Sequence, residues 1–215
     1  MTSIYETIME LPLMKGISRE QLSQMLEKTS VSFLYFKSGD KLYGKDDPVR
    51  SIDFLLKGRV KRRNHIEPYG ICITELLGEG MVMGANRLYG IHTTYGCDIE
   101  AFDDVSVMRI SKEQYLNILR SDEIFLMNYL NYLSAAAQRP LSFLREEHRD
   151  HVSTMLGMLL KSVVWPMAER ITIEASDEAI SQFLGIKEEL WEEWKRAREA
   201  EGNIEVTENG VTVKK

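Results

Sequence analysis

The 215-residue sequence holds only two cysteines, Cys72 and Cys97. Two thiols exclude a disulfide framework and a four-thiolate metal or iron–sulfur site. Positive charge is also scarce: 27 Lys and Arg stand against 33 Asp and Glu, a formal net charge of −6. That balance argues against a polyanion binder working by bulk charge alone. No apolar run approaches the roughly 20 residues of a membrane span. The opening MTSIYETIMELPLMKG has acidic residues and no long apolar core, unlike a signal peptide. Together these features predict a cytoplasmic protein with no membrane partner. No phosphate loop, metal motif or nucleophile–base–orienter set is present, so no enzyme and no cofactor is expected. His65, His92, His148 and His151 are scattered along the chain. His148 and His151, three apart on a helix, could share a metal, but no Cys or carboxylate set converges with them; surface or hinge histidines are the plain alternative. Cys97 reads as a small buried hydrophobe. What the chain does have is 44% hydrophobic residues, enough for a core in one large domain or two ordinary ones.

The pattern changes along the chain. Ser18 and Gln21 form a capping box ahead of the apolar stripe Leu22, Met25 and Leu26, which predicts a short helix. From Val31 to Ile110, short runs of Val, Ile, Phe and Tyr alternate with turn signals at 38–40, 45–48, 57–58, 68–70, 78–80 and 103–104, the pattern of a β sandwich or barrel. Ser111 and Gln114 open a second helical region. Beyond Asp122, Leu126, Leu130, Leu133, Ala137, Pro140 and Leu144 alternate steps of four and three, the seam of a coiled coil. Pro140 is expected to kink that helix. The stripe either pairs with a second copy, making Leu126, Leu130, Leu133, Ala137 and Leu144 a dimer interface, or packs on the sandwich. After His151, a buried helix is stopped near Trp165-Pro166, and a strand over Arg170 to Glu174 follows. A helix capped by Ser176 reaches Leu184, Gly185 makes a turn, and a second helix covers Ile186 to Glu201. A hairpin about Asn209-Gly210 closes the chain. Helix, turn, helix and two-stranded ribbon make a winged helix-turn-helix.

Four segments resemble a known family. Pro12-Leu13-Met14-Lys15-Gly16-Ile17 is similar to the opening P-L-F-x-G-L of cyclic-nucleotide-type sensor domains. Phe36 to Leu42 is similar to Y-x-x-G-E-x-L, Phe54 to Val60 to Y-x-I-x-x-G-x-V, and Gly80 to Gly84 to G-D-x-x-G. With the order of elements, they resemble the Crp–Fnr superfamily of transcription regulators over nearly the whole chain. The resemblance implies an α+β fold: an N-terminal antiparallel, jelly-roll-like β-roll sensor over 1–120, a dimerisation helix over 121–149, and a winged helix-turn-helix over 150–215. It also implies a homodimer, a small-molecule effector, DNA and RNA polymerase as partners.

The sequence departs from the family at both sites. Its nucleotide-binding members carry Gly-Glu for the ribose and Arg-Ser/Thr for the cyclic phosphate. Here Gly84 is followed by Ala85, and Tyr95-Gly96 stand where the phosphate pair belongs. A buried phosphate needs a fixed cation, so cyclic AMP bound in the usual mode is not expected. Arg87 and Arg139 could supply the missing charge, or both are solvated arginines. The effector pocket is therefore placed at Gly84, Ala85, Arg87, Tyr95, Gly96 and Arg139. In the second helix of the reader, Glu189 keeps the family's glutamate, which can accept from cytosine N4. Glu188 and Glu193 stand where arginines are usual, Lys187 where Ser/Thr caps, and Leu190 where Thr follows. From Asp150 to Lys215 there are 8 basic and 13 acidic residues, net −5. The expected DNA-facing residues are Ser176, Lys187, Glu188, Glu189, Glu192, Lys195 and Arg196. Lys187, Lys195, Arg196, Arg198, Lys214 and Lys215 could touch the DNA backbone, although Lys195, Arg196 and Arg198 lie toward the helix C-terminus, away from the end that usually enters the groove. The bland alternative is a solvated face in which Glu192 pairs with Arg196, four residues on. Two functions stay open: a dimeric regulator coupling a signal to DNA, or a member that no longer reads DNA and binds protein through Leu190 and an edge of Trp191.

Overall fold

The computed structural model describes residues 4–67, 69–143 and 150–214. Its first elements are α1 (Ile4–Met9), α2 (Arg19–Lys28), β1 (Val31–Phe36), β2 (Lys41–Tyr43), β3 (Ser51–Lys57), β4 (Val60–Ile66), β5 (Ile71–Leu77), β6 (Val82–Met83), β7 (Asp98–Ala101) and β8 (Val105–Ser111). Then come α3 (Lys112–Ser121), α4 (Glu123–Phe143), α5 (His151–Val163), β9 (Arg170–Glu174), α6 (Asp177–Leu184), α7 (Glu188–Ala200), β10 (Ile204–Thr207) and β11 (Gly210–Val213). The fold is mixed α+β, an antiparallel β roll followed by helices and a terminal hairpin. Its residues fall into two compact units. One holds Met1–Val60, Gly78–Gly96 and Glu100–Ala137; the other holds Lys61–Leu77, Cys97–Ile99 and Gln138–Lys215. The units interleave, where the sequence suggests three consecutive segments, and the chain passes from one to the other at five places.

In the first unit the strands form an antiparallel sheet in the order β1-β8-β3-β6. β3 buries six successive residues, as a strand covered on both faces must. Asp53 interrupts that apolar run, and the register sets it opposite Arg109 of β8. The Ser18–Gln21 capping box is made in both directions. Ser111 caps α3 through the Gln114 N–H. α4 continues through Pro140 to Phe143. One face of it, Phe125 and Tyr129, is buried in this unit, and Asn128 donates to the Lys15 carbonyl at 2.7 Å. Leu126 and Leu130 are 38% and 45% exposed, Leu133 is half-buried and Ala137 is exposed. The helix thus has one stripe packed on its own unit and a second left uncovered. Leu144 and His148 lie outside the described residues.

In the second unit the strands run β10-β11-β9-β5-β4. β9 pairs with β11 on one side and with β5 on the other, all antiparallel. Ile173 lies between Ile73 and Val211, and all three are buried. Thr172 lies between Thr74 and Thr212 on the next rung. The hairpin turn occupies Glu208-Asn209, one residue earlier than the Asn-Gly signal suggests, because Thr207 pairs with Gly210. Gly210 is needed for a different reason: a Cβ there would run into the Ile173 carbonyl of β9. Ser176 caps α6 by accepting from the Ala179 N–H, and Gly185 ends that helix in the left-handed region at φ 66°. α7 starts at Glu188 with no side-chain cap from Lys187.

Candidate functional site

The expected pocket residues of the first unit come together around a left-handed turn. Gly84 follows β6 at φ 82°. A Cβ there would lie 2.7 Å from the Ser51 carbonyl and 3.3 Å from the Tyr95 hydroxyl, so only glycine fits. Ala85 is buried and its carbonyl accepts from the Tyr129 hydroxyl of α4 at 2.8 Å. Arg87 is half-buried and lies against Gly96, where a Cβ would come within 2.8 Å of its Nη2. Its Nη1 donates to the Thr94 carbonyl at 3.4 Å. Arg139 belongs to the second unit and is half-buried there.

Tyr95 is the residue that defines this site. Its backbone is clamped on both sides, N–H to the Asp47 carbonyl at 2.9 Å and carbonyl to the Asp46 N–H at 2.7 Å. Its ring is buried and stacks on Tyr43, with centroids 4.0 Å apart and planes 18° from parallel. Tyr43 in turn donates its hydroxyl to Asp53 and accepts from Arg109. Arg109 completes the group with Nε 3.0 Å from each Asp53 oxygen and Nη2 2.7 Å from one of them. Burial, then the neighbouring Asp53 carboxylate, pushes Tyr43 up to about 12. Burial also raises Tyr95 well above the ordinary phenol range. Burial works against the charge on Arg109, but its bonds to Asp53 hold it above its usual range. Both phenols therefore stay neutral at physiological pH, and the Arg109 charge is spent on Asp53. The group is built to hold an aromatic pair in place.

Tyr43, Asp53 and Arg109 are absent from the sequence-based site. A signal for them existed. A lone aspartate in the run Ile52 to Leu56 must find a cation once buried, but only strand register identifies Arg109 as that cation.

In the second unit the expected reading helix is divided into an inner and an outer face. Trp191 is fully buried, and its indole N–H donates to Asp177 at 2.7 Å. It stacks on Trp194 at 5.1 Å, and Trp194 donates to Ser153 at 2.9 Å. Lys195, one of the cations that could reach a DNA backbone, is turned inward instead. It is buried, with Nζ 2.7 Å from Asp177 and 2.8 Å from Glu192, so it joins α6 to α7. Those bonds raise Lys195 although burial opposes its charge. Arg198 is likewise occupied, 2.8 Å from Asp150 and 2.7 Å from Glu201. An exposed edge of Trp191 is corrected too; Leu190, 44% exposed, is the apolar side chain this helix presents. The exposed charges are Lys187, Glu188, Glu189, Glu193, Arg196 and Glu199. Glu192 is half-buried and lies 3.9 Å from Arg196. Ser176 is committed to capping α6.

Among the described residues no group of three His, Cys, Asp or Glu is placed to hold a metal ion, and no helix is long and apolar enough to cross a membrane. Cys97 is buried and Cys72 half-buried.

Comparison with known proteins adds the following. No curated protein matches the chain at a significant level. Catabolite Activator Protein from Thermus thermophilus is similar in structure, with a TM-score of 0.53 at 20% identity over 94% of this chain and 93% of that one. The N-terminal domain of a transcriptional regulator from Streptomyces coelicolor A3(2) gives 0.51 at 18% identity over 67% of this chain and 98% of that one. At such identities the likeness is one of fold. Residues 33–122 match the sequence model of the Cyclic nucleotide-binding domain, within a chain folded like the Thermus activator.

Proposed function

We infer that this chain is a homodimeric, Crp–Fnr-like transcription regulator that couples a signal in its β roll to DNA binding by α6, α7 and the terminal hairpin, with RNA polymerase as a further partner. The observation that carries this reading is the combination of a cyclic nucleotide-binding-type segment with a helix, a glycine turn, a second helix and a two-stranded wing in one chain. The uncovered stripe Leu126, Leu130, Leu133 and Ala137 supports pairing through α4. The effector is not a cyclic nucleotide held in the usual way. No carboxylate follows Gly84, the Tyr43–Tyr95 stack stands at the phosphate position, and Arg87 is the cation beside it.

A second reading has its own observation. With Lys195 and Arg198 bound internally, the outward face of α7 carries Glu188, Glu189 and Glu193 against Lys187 and Arg196. Carboxylates repel a duplex, so this face also suits a protein partner with basic residues around an apolar socket for Leu190.

Selection of binding sites from random DNA with the full chain, at about 50 and 200 mM salt, separates the two. The regulator reading expects an enriched twofold-symmetric motif whose recovery is lost in Lys187→Glu and Arg196→Glu. No enrichment at either salt concentration overturns DNA reading. Leu130→Glu is expected to give a folded monomer in analytical ultracentrifugation; an unchanged sedimentation coefficient overturns the α4 dimer.

A further inference from the structure

The hairpin β4–β5 begins and ends at the first unit, leaving it at Val60 and returning at Gly78, yet its residues pack in the second. Two sets of bonds fasten it there, and a third carries the path on to α7. The first is the main-chain seam between Cys72–Leu76 and Arg170–Glu174, with Ile73 and Ile173 buried on it. Just beyond the seam, Glu169 N–H donates to the Leu76 carbonyl at 2.8 Å.

The second is a buried ion pair at the end of α5. Glu75 is fully buried. Its Oε1 accepts from Arg62 Nε at 2.8 Å, Arg62 Nη2 at 2.6 Å and Asn64 Nδ2 at 3.1 Å. Its Oε2 accepts from the Trp165 N–H at 2.6 Å. Arg62 Nη2 also donates to the Val163 carbonyl at 2.6 Å. The last carbonyls of a helix lack intrahelical donors and carry partial negative charge, so a cation there is favourable. The hairpin therefore supplies the C-terminal cap of α5. Burial raises the Glu75 carboxyl above its ordinary value, against the opposing pull of Arg62, the Trp165 N–H and Asn64.

The third set lies at the other end of α5. Asp150 and Ser153 in its first turn hold Arg198 and Trp194 of α7. Thirteen residues at 1.5 Å each make α5 a rod of about 20 Å. One end is gripped by the hairpin and the other by the reading helix.

We propose that the hairpin β4–β5 is the element that transmits the state of the first unit to α7, through the Glu75–Arg62 clasp, the α5 rod and the β5–β9 seam. Glu75 and Arg62 act as positioning residues. The proposal rests on the sensor-and-reader interpretation for its biological meaning, but its test needs no DNA, so failure to bind DNA leaves it untouched.

The test is a four-protein cycle in the full chain: parent, Tyr95→Ala, Glu75→Gln and the double variant, read by amide hydrogen exchange over residues 190–198. Tyr95→Ala opens the aromatic stack of the first unit, and Glu75→Gln keeps the clasp's size but removes its charge and turns one accepting oxygen into an N–H donor. Tyr95→Ala alone is expected to change exchange in 190–198. Glu75→Gln alone should speed exchange in 71–77, 163–174 and 190–198 together by roughly tenfold, with strands β1 and β8 unchanged. In the double variant the effect of Tyr95→Ala on 190–198 should disappear. Additive effects, no response of 190–198 to Tyr95→Ala, or a Glu75→Gln effect confined to 75 and 165 would each overturn the proposal. Tyr95→Leu and Arg62→Met replace either variant if it does not fold, with the same expected outcomes.

Discussion

Arg109→Met should be the most damaging single replacement at the aromatic site. The Asp53 side chain is 1% exposed, and Arg109 supplies three of the contacts that hold its charge. Methionine fills much of the same volume but leaves the carboxylate with the Tyr43 hydroxyl as its remaining side-chain donor among the described residues. Removing one partner of a buried pair costs about 3–5 kcal/mol, a large part of the roughly 5–15 kcal/mol that holds a domain folded. At about 2–4 °C per kcal/mol for a chain of this size, the midpoint should fall by roughly 6–20 °C. Asp53→Asn should cost less, about 2 kcal/mol, because Arg109 is one-third exposed and can turn toward water. The triple replacement Asp53→Leu, Arg109→Met and Tyr43→Phe removes the ion pair and the hydroxyl bonded to it at once and should return stability to within about 1 kcal/mol of the parent or above it. Urea unfolding followed by far-ultraviolet circular dichroism measures all three. Tryptophan emission, from Trp165, Trp191 and Trp194 of the second unit, tests whether the two units unfold together. A loss below about 1 kcal/mol for Arg109→Met, typical of a surface pair, would refute the reasoning, as would a triple variant no more stable than the single one.

Gly84→Ala should destabilise by about 1–2 kcal/mol or more through its left-handed backbone and the close Ser51 carbonyl; an unchanged unfolding midpoint would show that the turn relaxes freely. Tyr95→Phe should leave stability unchanged or raise it by about 1 kcal/mol, because the buried Tyr95 hydroxyl makes no well-formed hydrogen bond among the described residues; a clear loss would reveal one. Acid should loosen the second unit. Burial works to raise Asp150 and Asp177, but Ser153 and Arg198 for the first, and Lys195 and Trp191 for the second, hold both below the ordinary value of 3.8. A carboxylate depressed in the folded state contributes stability that is full above its unfolded value and lost as pH falls through the folded one. Tryptophan emission should therefore report loosening below pH 3.8, and Asp150→Asn with Asp177→Asn should flatten that acid limb.

Local chemistry made much of this fold legible. The Ser18 box, the Ser111 and Ser176 caps, the strand Arg170–Glu174 and the Gly185 turn follow from neighbours a few residues apart, where helix caps and turn dihedrals are decided. Gly84, Ala85, Arg87, Tyr95 and Gly96 are grouped through the resemblance to the sensor motifs, not through local chemistry. Long-range register was not legible. Nothing near Asp53 names Arg109, 56 residues away, and nothing near Ile73 names Ile173. Lys195 resembled a surface lysine because its neighbours are charged. Its burial depends on Asp177, 18 residues earlier, and on Trp191 filling the space beside it. Gly210 was assigned to a turn by its dipeptide, while its reason lies in the approach of another strand.

The division of labour within α7 has a consequence for how such a protein can change. Cohesion of the helix with its surroundings is vested in Trp191, Trp194, Lys195 and Arg198, all turned inward. Positions 188, 189, 193 and 196 contribute little to it. A lineage, or a designer, can therefore rewrite the outward lettering of this helix one substitution at a time, even to the opposite polarity, without endangering the architecture that displays it.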